Sequence, residues 1–225
     1  MTINIAIDGP VASGKSTIAK RLAKLLNYVH IDTGAMYRAV AYKANLHHLD
    51  LTQERTLVDL VDKTRFEFDD HGVLFVDGKA VGSEIRSQEA AIGASIVSKH
   101  ALVRARLVAI QQAITQAKGF ILDGRDIGTV VLPHAELKIF QIADVSERAK
   151  RRTAEYHAQG IDVTFEEVLA DLAQRDSNDM NRTHSPLVKA EDAVVLDTSH
   201  LSVDEAVALI IPMVQERISR LETHD

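Results

Sequence analysis

The sequence predicts an α/β fold in which a doubly wound parallel sheet forms the middle of three layers, with helices on both faces. Three observations predict it. Short apolar runs alternate with helix-length segments along most of the chain, the first run leads straight into a glycine-rich turn and a helix, and one internal stretch leaves that rhythm to form strand pairs of its own. With 46% hydrophobic and 26% charged residues, the 225-residue chain can bury a substantial core.

Taken in order, Ile3 to Ile7 is a strand-length apolar run, and Ile18, Ala19, Leu22, Ala23, Leu25 and Leu26 follow at helical spacing. Val29–Ile31 reads as the next strand and Ala35 to Ala44 as its helix. The stretch from Leu51 to His100 breaks the alternation: a short helix is followed by Arg65–Phe68, then Val73–Val76 and the turn dipeptide Asp77-Gly78, which reads as a hairpin in a small inserted subdomain (residues 51–100). The alternation resumes with strands at Phe120–Leu122 and Leu137–Ile142, a helix from Ser146 to His157, a helix from Phe165 to Gln174 and a strand at Val194–Leu196. Fully apolar strands such as Phe120-Ile121-Leu122 suit a sheet covered on both faces. The polar stretch Asp176 to Lys189, ending at Ser185-Pro186, is expected to be a loop. A final helix should start at Ser202 with an acidic first turn, and Pro212 should kink or divide it. The whole chain, 1–225, reads as one domain with that insert.

Composition excludes several classes of function. The absence of cysteine rules out disulfides, thiolate metal sites, thiol nucleophiles and iron–sulfur clusters, and suits a reducing compartment. A net charge of −6 disfavours nucleic acid as a partner. No segment approaches the roughly 20 apolar residues of a membrane span, and no basic stretch precedes the first apolar run, so no membrane partner and a cytoplasmic location are expected. Nothing resembles a heptad seam.

Between the first strand and first helix stands Gly9-Pro10-Val11-Ala12-Ser13-Gly14-Lys15-Ser16-Thr17, which fits G-x-x-x-x-G-K-[ST]. Such a loop turns successive backbone N–H groups inward, beside a helix N-terminus, to cradle phosphate oxygens. Lys15 would add a point charge at the β and γ phosphates of ATP, and the Ser16 hydroxyl would ligate Mg²⁺. Asp123, at a strand end, could face the same ion through water. His47-His48 lacks a third ligand at metal-binding spacing and reads as surface.

A phosphate loop alone leaves GTPases, nucleic-acid translocases and small-molecule kinases open. No N-K-x-D guanine reader occurs, and the acidic balance disfavours a translocase. A kinase for a phosphorylated acceptor needs a second anion site rich in arginine. The chain offers arginines in Asp32-Thr33-Gly34-Ala35-Met36-Tyr37-Arg38, in Asp123-Gly124-Arg125-Asp126-Ile127-Gly128-Thr129, in Arg175-Asp176-Ser177-Asn178-Asp179-Met180-Asn181-Arg182 and in Ser146 to Arg152. The first two follow strands, and ligands of open parallel sheets bind at the carboxyl ends of strands. Arg38, Arg125 and Arg182 are therefore the candidates to hold an acceptor phosphate, with Arg175 helping at the same place.

With the segment Gly82-Ser83-Glu84-Ile85-Arg86 added, these motifs make the chain resemble the bacterial-type cytidylate kinases of the nucleoside monophosphate kinase family, in order and over essentially its full length. The resemblance implies a P-loop kinase fold, ATP and Mg²⁺ as donor and metal, CMP and dCMP as acceptors, and a monomer. It makes the insert at 51–100 the monophosphate-binding subdomain and residues 146–160 a short lid in which Arg148 and Arg152 contact ATP; the same basic run could instead be a solvated helix face. It also makes Asp179 the acceptor of the ribose hydroxyls, gives Thr33 a nucleotide-binding hydroxyl where the family commonly has serine, and assigns the cytosine to Ser95, Arg104 and Asp126. The chemistry agrees: a carboxylate or hydroxyl accepts from the cytosine amino group, while an arginine donates to N3 and O2. Uracil reverses that pattern at a cost of roughly 1–3 kcal/mol for each unpaired buried group, which favours cytosine at least tenfold. Asp126 could also simply pair with Arg125, and Ser95 could be a packed helix hydroxyl. Another small-molecule P-loop kinase, of AMP or shikimate type, is the competing reading.

Overall fold

A computed structural model describes residues 1–223. Five strands form one parallel sheet in the order β2-β6-β1-β7-β8: β1 (Ile5–Asp8) at the centre, β6 (Phe120–Gly124) and β7 (Leu137–Ile142) beside it, and β2 (Val29–Asp32) and β8 (Val194–Asp197) at the edges. The register pairs Asp8 with Gly124 and Asp32 with Asp123, so the motif-bearing strand ends align at one edge.

Alternation along β1 builds both faces. Ile5 and Ile7 pack with Ile18 and Leu22 of α1 (Lys15–Leu26) and with Val207, Ile210 and Val214 of α8 (Val203–Glu222). Ala6 faces the other way, against Ile31, Leu122, Ile127 and Val131. Ile5, Ile7, Leu22 and Leu122 are fully buried, each contributing roughly 1.5–3 kcal/mol.

Helix α2 (Thr33–Leu46) starts two residues before its apolar pattern does, because the Asp32 side chain caps it by accepting from Ala35 N at 3.1 Å. Between α2 and α5 (Ala101–Ile114) lie α3 (Glu54–Asp62), a separate antiparallel sheet of β3 (Phe66–Phe68), β4 (Leu74–Val76) and β5 (Lys79–Ala80), and α4 (Gln88–Val97). Asp77 and Gly78, with φ of 51° and 77°, form the tight turn between β4 and β5. Apolar side chains here share one core with the flanking helices: Leu57, Val61, Phe66 and Leu74 pack with Met36 and Val40 of α2 and with Val103 and Leu107 of α5.

Two expectations are corrected. Residues Asp176 to Asn181 are not loop: α7 runs Phe165–Asn181, and only the following residues, up to Lys189, are irregular. A capping box between Thr164 and Glu167 anchors the start of α7, and Asn181 Nδ2 donates back to the Ser177 carbonyl at 2.8 Å in its last turn. Polar residues there were not helix-breaking ones. Nor does Pro212 divide the last helix: α8 is continuous from Val203 to Glu222, begins at a Ser202–Glu205 capping box, and is held on the sheet by buried residues on both sides of the proline. Among the described residues, no helix is long and apolar enough to cross a membrane. α6 (Val145–Ala158) packs against α7 through Ala149, Val168 and Leu172.

Candidate active site

The glycine-rich loop leaves β1 and enters α1 at the carboxyl edge of the sheet. Gly9 has φ 155° and runs so close to β7 that a Cβ would lie 2.0 Å from the Gln141 carbonyl oxygen; Gly14, at φ 91°, is the N-cap of α1. Gln141, fully buried, donates from Nε2 to the Ser13 carbonyl at 2.5 Å and to Thr198 Oγ1 at 3.0 Å. Holding that carbonyl inward turns the Gly14 N–H, on the other side of the same planar peptide, outward.

Lys15 is buried, its Nζ donating to the Pro10 carbonyl at 2.6 Å and to Ser13 Oγ at 3.1 Å. Burial, and next the charge of Arg125, lower its pKa to about 7. Ser16 Oγ donates to Asp123 Oδ2 at 2.7 Å, His30 Nε2 lies 2.6 Å from Asp123 Oδ1, and Thr33 Oγ1 donates to the Asp123 backbone carbonyl at 2.9 Å. Although burial opposes it, hydrogen bonds with His30 and Ser16 and the charges of His30 and Lys15 hold the Asp123 carboxyl below its ordinary range. Ser16 and Asp123 thus place two hard oxygen donors side by side. No group of three or more carboxylate or imidazole ligands occurs among the described residues. That donor set fits Mg²⁺, which keeps waters and takes phosphate oxygens rather than an all-protein cage.

Opposite the loop, charged side chains from three segments interlock. Arg125 Nε donates to Asp179 Oδ2 at 2.6 Å, while Arg182 lies 3.8 Å from Asp179 and 3.7 Å from Asp126. Arg104 pairs closely with Asp126, its guanidinium carbon 5.3 Å from the centre of the Tyr37 ring. Arg104 and Asp126 are nearly inaccessible, and Arg104 Nε and Arg182 Nη2 have no hydrogen-bond partner. Burial, with Arg104 as a neighbour, pushes Arg182 below the usual arginine range, and burial pushes Tyr37 up to about 12.

The geometry therefore gathers Gly9 to Thr17 with Arg104, Arg125, Asp126, Asp179 and Arg182. Arg38 stands in the second turn of α2, its Nη2 donating at 2.6 Å to Oδ2 of Asp32 at the end of β2 rather than joining that network. Three expected site side chains make no hydrogen bond or ion pair in that network. Arg175 faces Asp171 at 3.6 Å along its own helix, Arg152 pairs with Glu155 at 3.1 Å and lies over Tyr156, and Ser95 is half-buried on α4, its carbonyl accepting from Ser98 Oγ at 3.2 Å. Arg148 is buried and donates to the Val11 carbonyl at 2.8 Å.

Sequence reasoning missed His30, Gln141, Asp176 and Asp8. Asp8, the last residue of β1, accepts from Ile127 N and Gly128 N at 2.7 Å each and so ties the phosphate loop to the turn after β6. Burial pushes its carboxyl up to about 6 despite those two N–H groups. A carboxylate closing an otherwise apolar buried strand was the available signal for Asp8.

The description "cytidylate kinase" belongs to the family model that matches residues 5–216. The chain belongs to the cytidylate kinase family. A cytidylate kinase of Enterococcus faecalis is 50% identical over 218 residues, covering 96% of each chain, and one of Anoxybacillus flavithermus is 48% identical over 96% of this chain and 97% of its own. A shikimate kinase structure from Bacteroides thetaiotaomicron superposes with a TM-score of 0.50 at 11% identity, covering 96% of this chain and 99% of its own, and thereby shows the shared α/β architecture. Membership of the cytidylate kinase family makes the chain a nucleoside monophosphate kinase, for which ATP is the phosphoryl donor.

Proposed function

We propose that the chain transfers the γ-phosphoryl group of ATP to CMP or dCMP, giving CDP or dCDP and ADP, as a cytoplasmic monomer. The observation that carries this reading is the meeting, at one sheet edge, of a phosphate loop with a buried arginine–aspartate network: Asp8, just before the loop, accepts from Ile127 N and Gly128 N, just after Arg125 and Asp126. One oxygen of the acceptor phosphate attacks the γ-phosphorus, the bond from that phosphorus to the bridging β-oxygen breaks, and ADP leaves with the bridging electrons. The acceptor oxygen is already anionic, so no strong general base is needed.

Each half of the site has its own task. The backbone of Gly9 to Thr17 and Lys15 hold the donor phosphates; Arg125 and Arg182, with Arg38 and Arg175 brought in from the rim, hold the acceptor phosphate. Asp179 accepts from the ribose hydroxyls and Thr33 donates to the nucleotide. Asp126 and Arg104, with Ser95, read the cytosine edge. Ser16 would ligate Mg²⁺ and Asp123 would face it through water; the ion supplies charge neutralisation at the β and γ phosphates. Residues 51–100 act as the monophosphate-binding insert and 146–160 as a lid that excludes water, with Arg152 turned toward the donor when it closes.

An ADP-release assay across CMP, dCMP, UMP, AMP and shikimate tests this. CMP and dCMP should lead UMP at least tenfold. Turnover led by AMP or shikimate would overturn the cytosine-reading assignments.

A further inference from the structure

Val11, in the middle of the phosphate loop, has both of its backbone polar groups held from outside the loop. Its N–H donates to Asp176 Oδ1 at 3.2 Å, and its carbonyl accepts from Arg148 Nη1 at 2.8 Å. The two clamping side chains are bound to each other, Arg148 Nη2 lying 2.7 Å from Asp176 Oδ2, and Arg148 Nε is fixed by the Ala143 carbonyl at 2.9 Å. Both are buried, at 4% and 9% exposure. A buried ion pair contributes little net stability by itself, so what it holds is the informative part.

A trans peptide is planar, its N–H and C=O pointing to opposite sides. In the Pro10–Val11 peptide the N–H faces Asp176, so the Pro10 carbonyl faces the other way, where it accepts from Lys15 Nζ at 2.6 Å. In the next peptide the Val11 carbonyl faces Arg148, so the Ala12 N–H is turned away from α6, and Ala12 takes up a left-handed φ of 57°. One carboxylate–guanidinium pair therefore sets two successive peptide planes of the loop.

We propose that Asp176 and Arg148 are positioning residues for the donor site: together they orient the Pro10–Val11 and Val11–Ala12 peptides, one toward Lys15 and the other toward the donor phosphates. Asp176 stands one helical turn before Asp179 on α7 yet serves the opposite half of the site. Arg148 accordingly acts through the loop backbone. This rests on the phosphoryl-transfer reading, because only that reading makes the loop a donor site.

The test is calorimetric titration of wild type, Asp176→Asn, Arg148→Lys and the double variant with a non-hydrolysable ATP analogue and, separately, with CMP. The Val11 and Ala12 amide resonances serve as the local reporter. Asp176→Asn keeps the side-chain shape but loses the charge; Arg148→Lys keeps the charge but not the fork. Each single variant should weaken the analogue at least tenfold, leave CMP within about threefold and shift the two amides, and the double variant should lose little more than either single. Analogue affinity within twofold of wild type in either variant would overturn the inference, as would equal losses for analogue and CMP, which mark a general structural defect. Wild type that fails to phosphorylate CMP would instead defeat the functional reading, whatever the variants bind.

Discussion

The two halves of the proposed site, donor and acceptor, are built by opposite means. The donor half is one continuous segment, Gly9 to Thr17, whose binding groups are backbone N–H groups set by glycine conformations and by carbonyls held from behind. The acceptor half draws Arg104, Arg125, Asp126, Asp179 and Arg182 from α5, from the turn after β6 and from the end of α7, and works entirely through side chains. A backbone cradle tolerates varied side chains but not a misplaced peptide. The side-chain network is sensitive to every charge in it, because each buried ion leans on its neighbours.

The sharpest challenge to that contrast is Lys15, the one charged side chain of the donor half. Lys15→Met should lower kcat by about 10³, the order expected for a lost phosphate-stabilising charge, while CMP affinity measured by titration stays within about threefold. Near-normal turnover would show that the cradle works without it. Next, Asp126→Asn keeps the volume beside Arg104 but turns an amide donor toward the base. It should cost about 10² in kcat/KM for CMP and bring the CMP-over-UMP preference close to unity. An unchanged preference would remove Asp126 as a base reader.

Asp8 ties the halves together, and its effect is one of stability. Its folded carboxyl protonates near pH 6 against an ordinary value of 3.8, so between those values the folded form binds more protons than the unfolded. This group's contribution therefore falls as pH rises through that window. Denaturant titrations should show wild type losing on the order of 1–3 kcal/mol relative to Asp8→Asn between pH 4 and pH 6. Parallel pH curves would mean that Asp8 titrates normally. The smallest effect belongs to a residue outside both halves: Pro212→Ala in exposed helix should raise stability by about 1–2 kcal/mol without changing kinetics, as read by thermal unfolding and steady-state rates.

How much was legible in the sequence follows from the same contrast. The donor loop could be read because its residues are contiguous and each glycine marks a backbone conformation. The parallel sheet was legible from apolar strand cores such as Phe120 to Leu122. Arg125 and Asp126 could be placed because they follow a strand directly. Arg175 and Asp176 could not be told apart, since only the phase of α7, hidden by its polar last turns, sends one toward Asp171 and the other toward Val11. His30 and Gln141 look like ordinary strand residues until their neighbours across the sheet are known. Ser95 and Arg38 matched motifs, yet Ser95 makes no hydrogen bond into the network and Arg38 is drawn to the cap of its own helix at Asp32.

Between α2 and α5 the chain buries its apolar side chains without enclosing a core of its own; Leu57, Phe66 and Leu74 rest on Met36, Val40 and Leu107. Such a segment cannot hinge freely. Any swing of it must drag the two helices it leans on, and those carry Tyr37, Arg38 and Arg104. On the proposed reading, closure over the acceptor and adjustment of the groups that grip it are thus a single mechanical event.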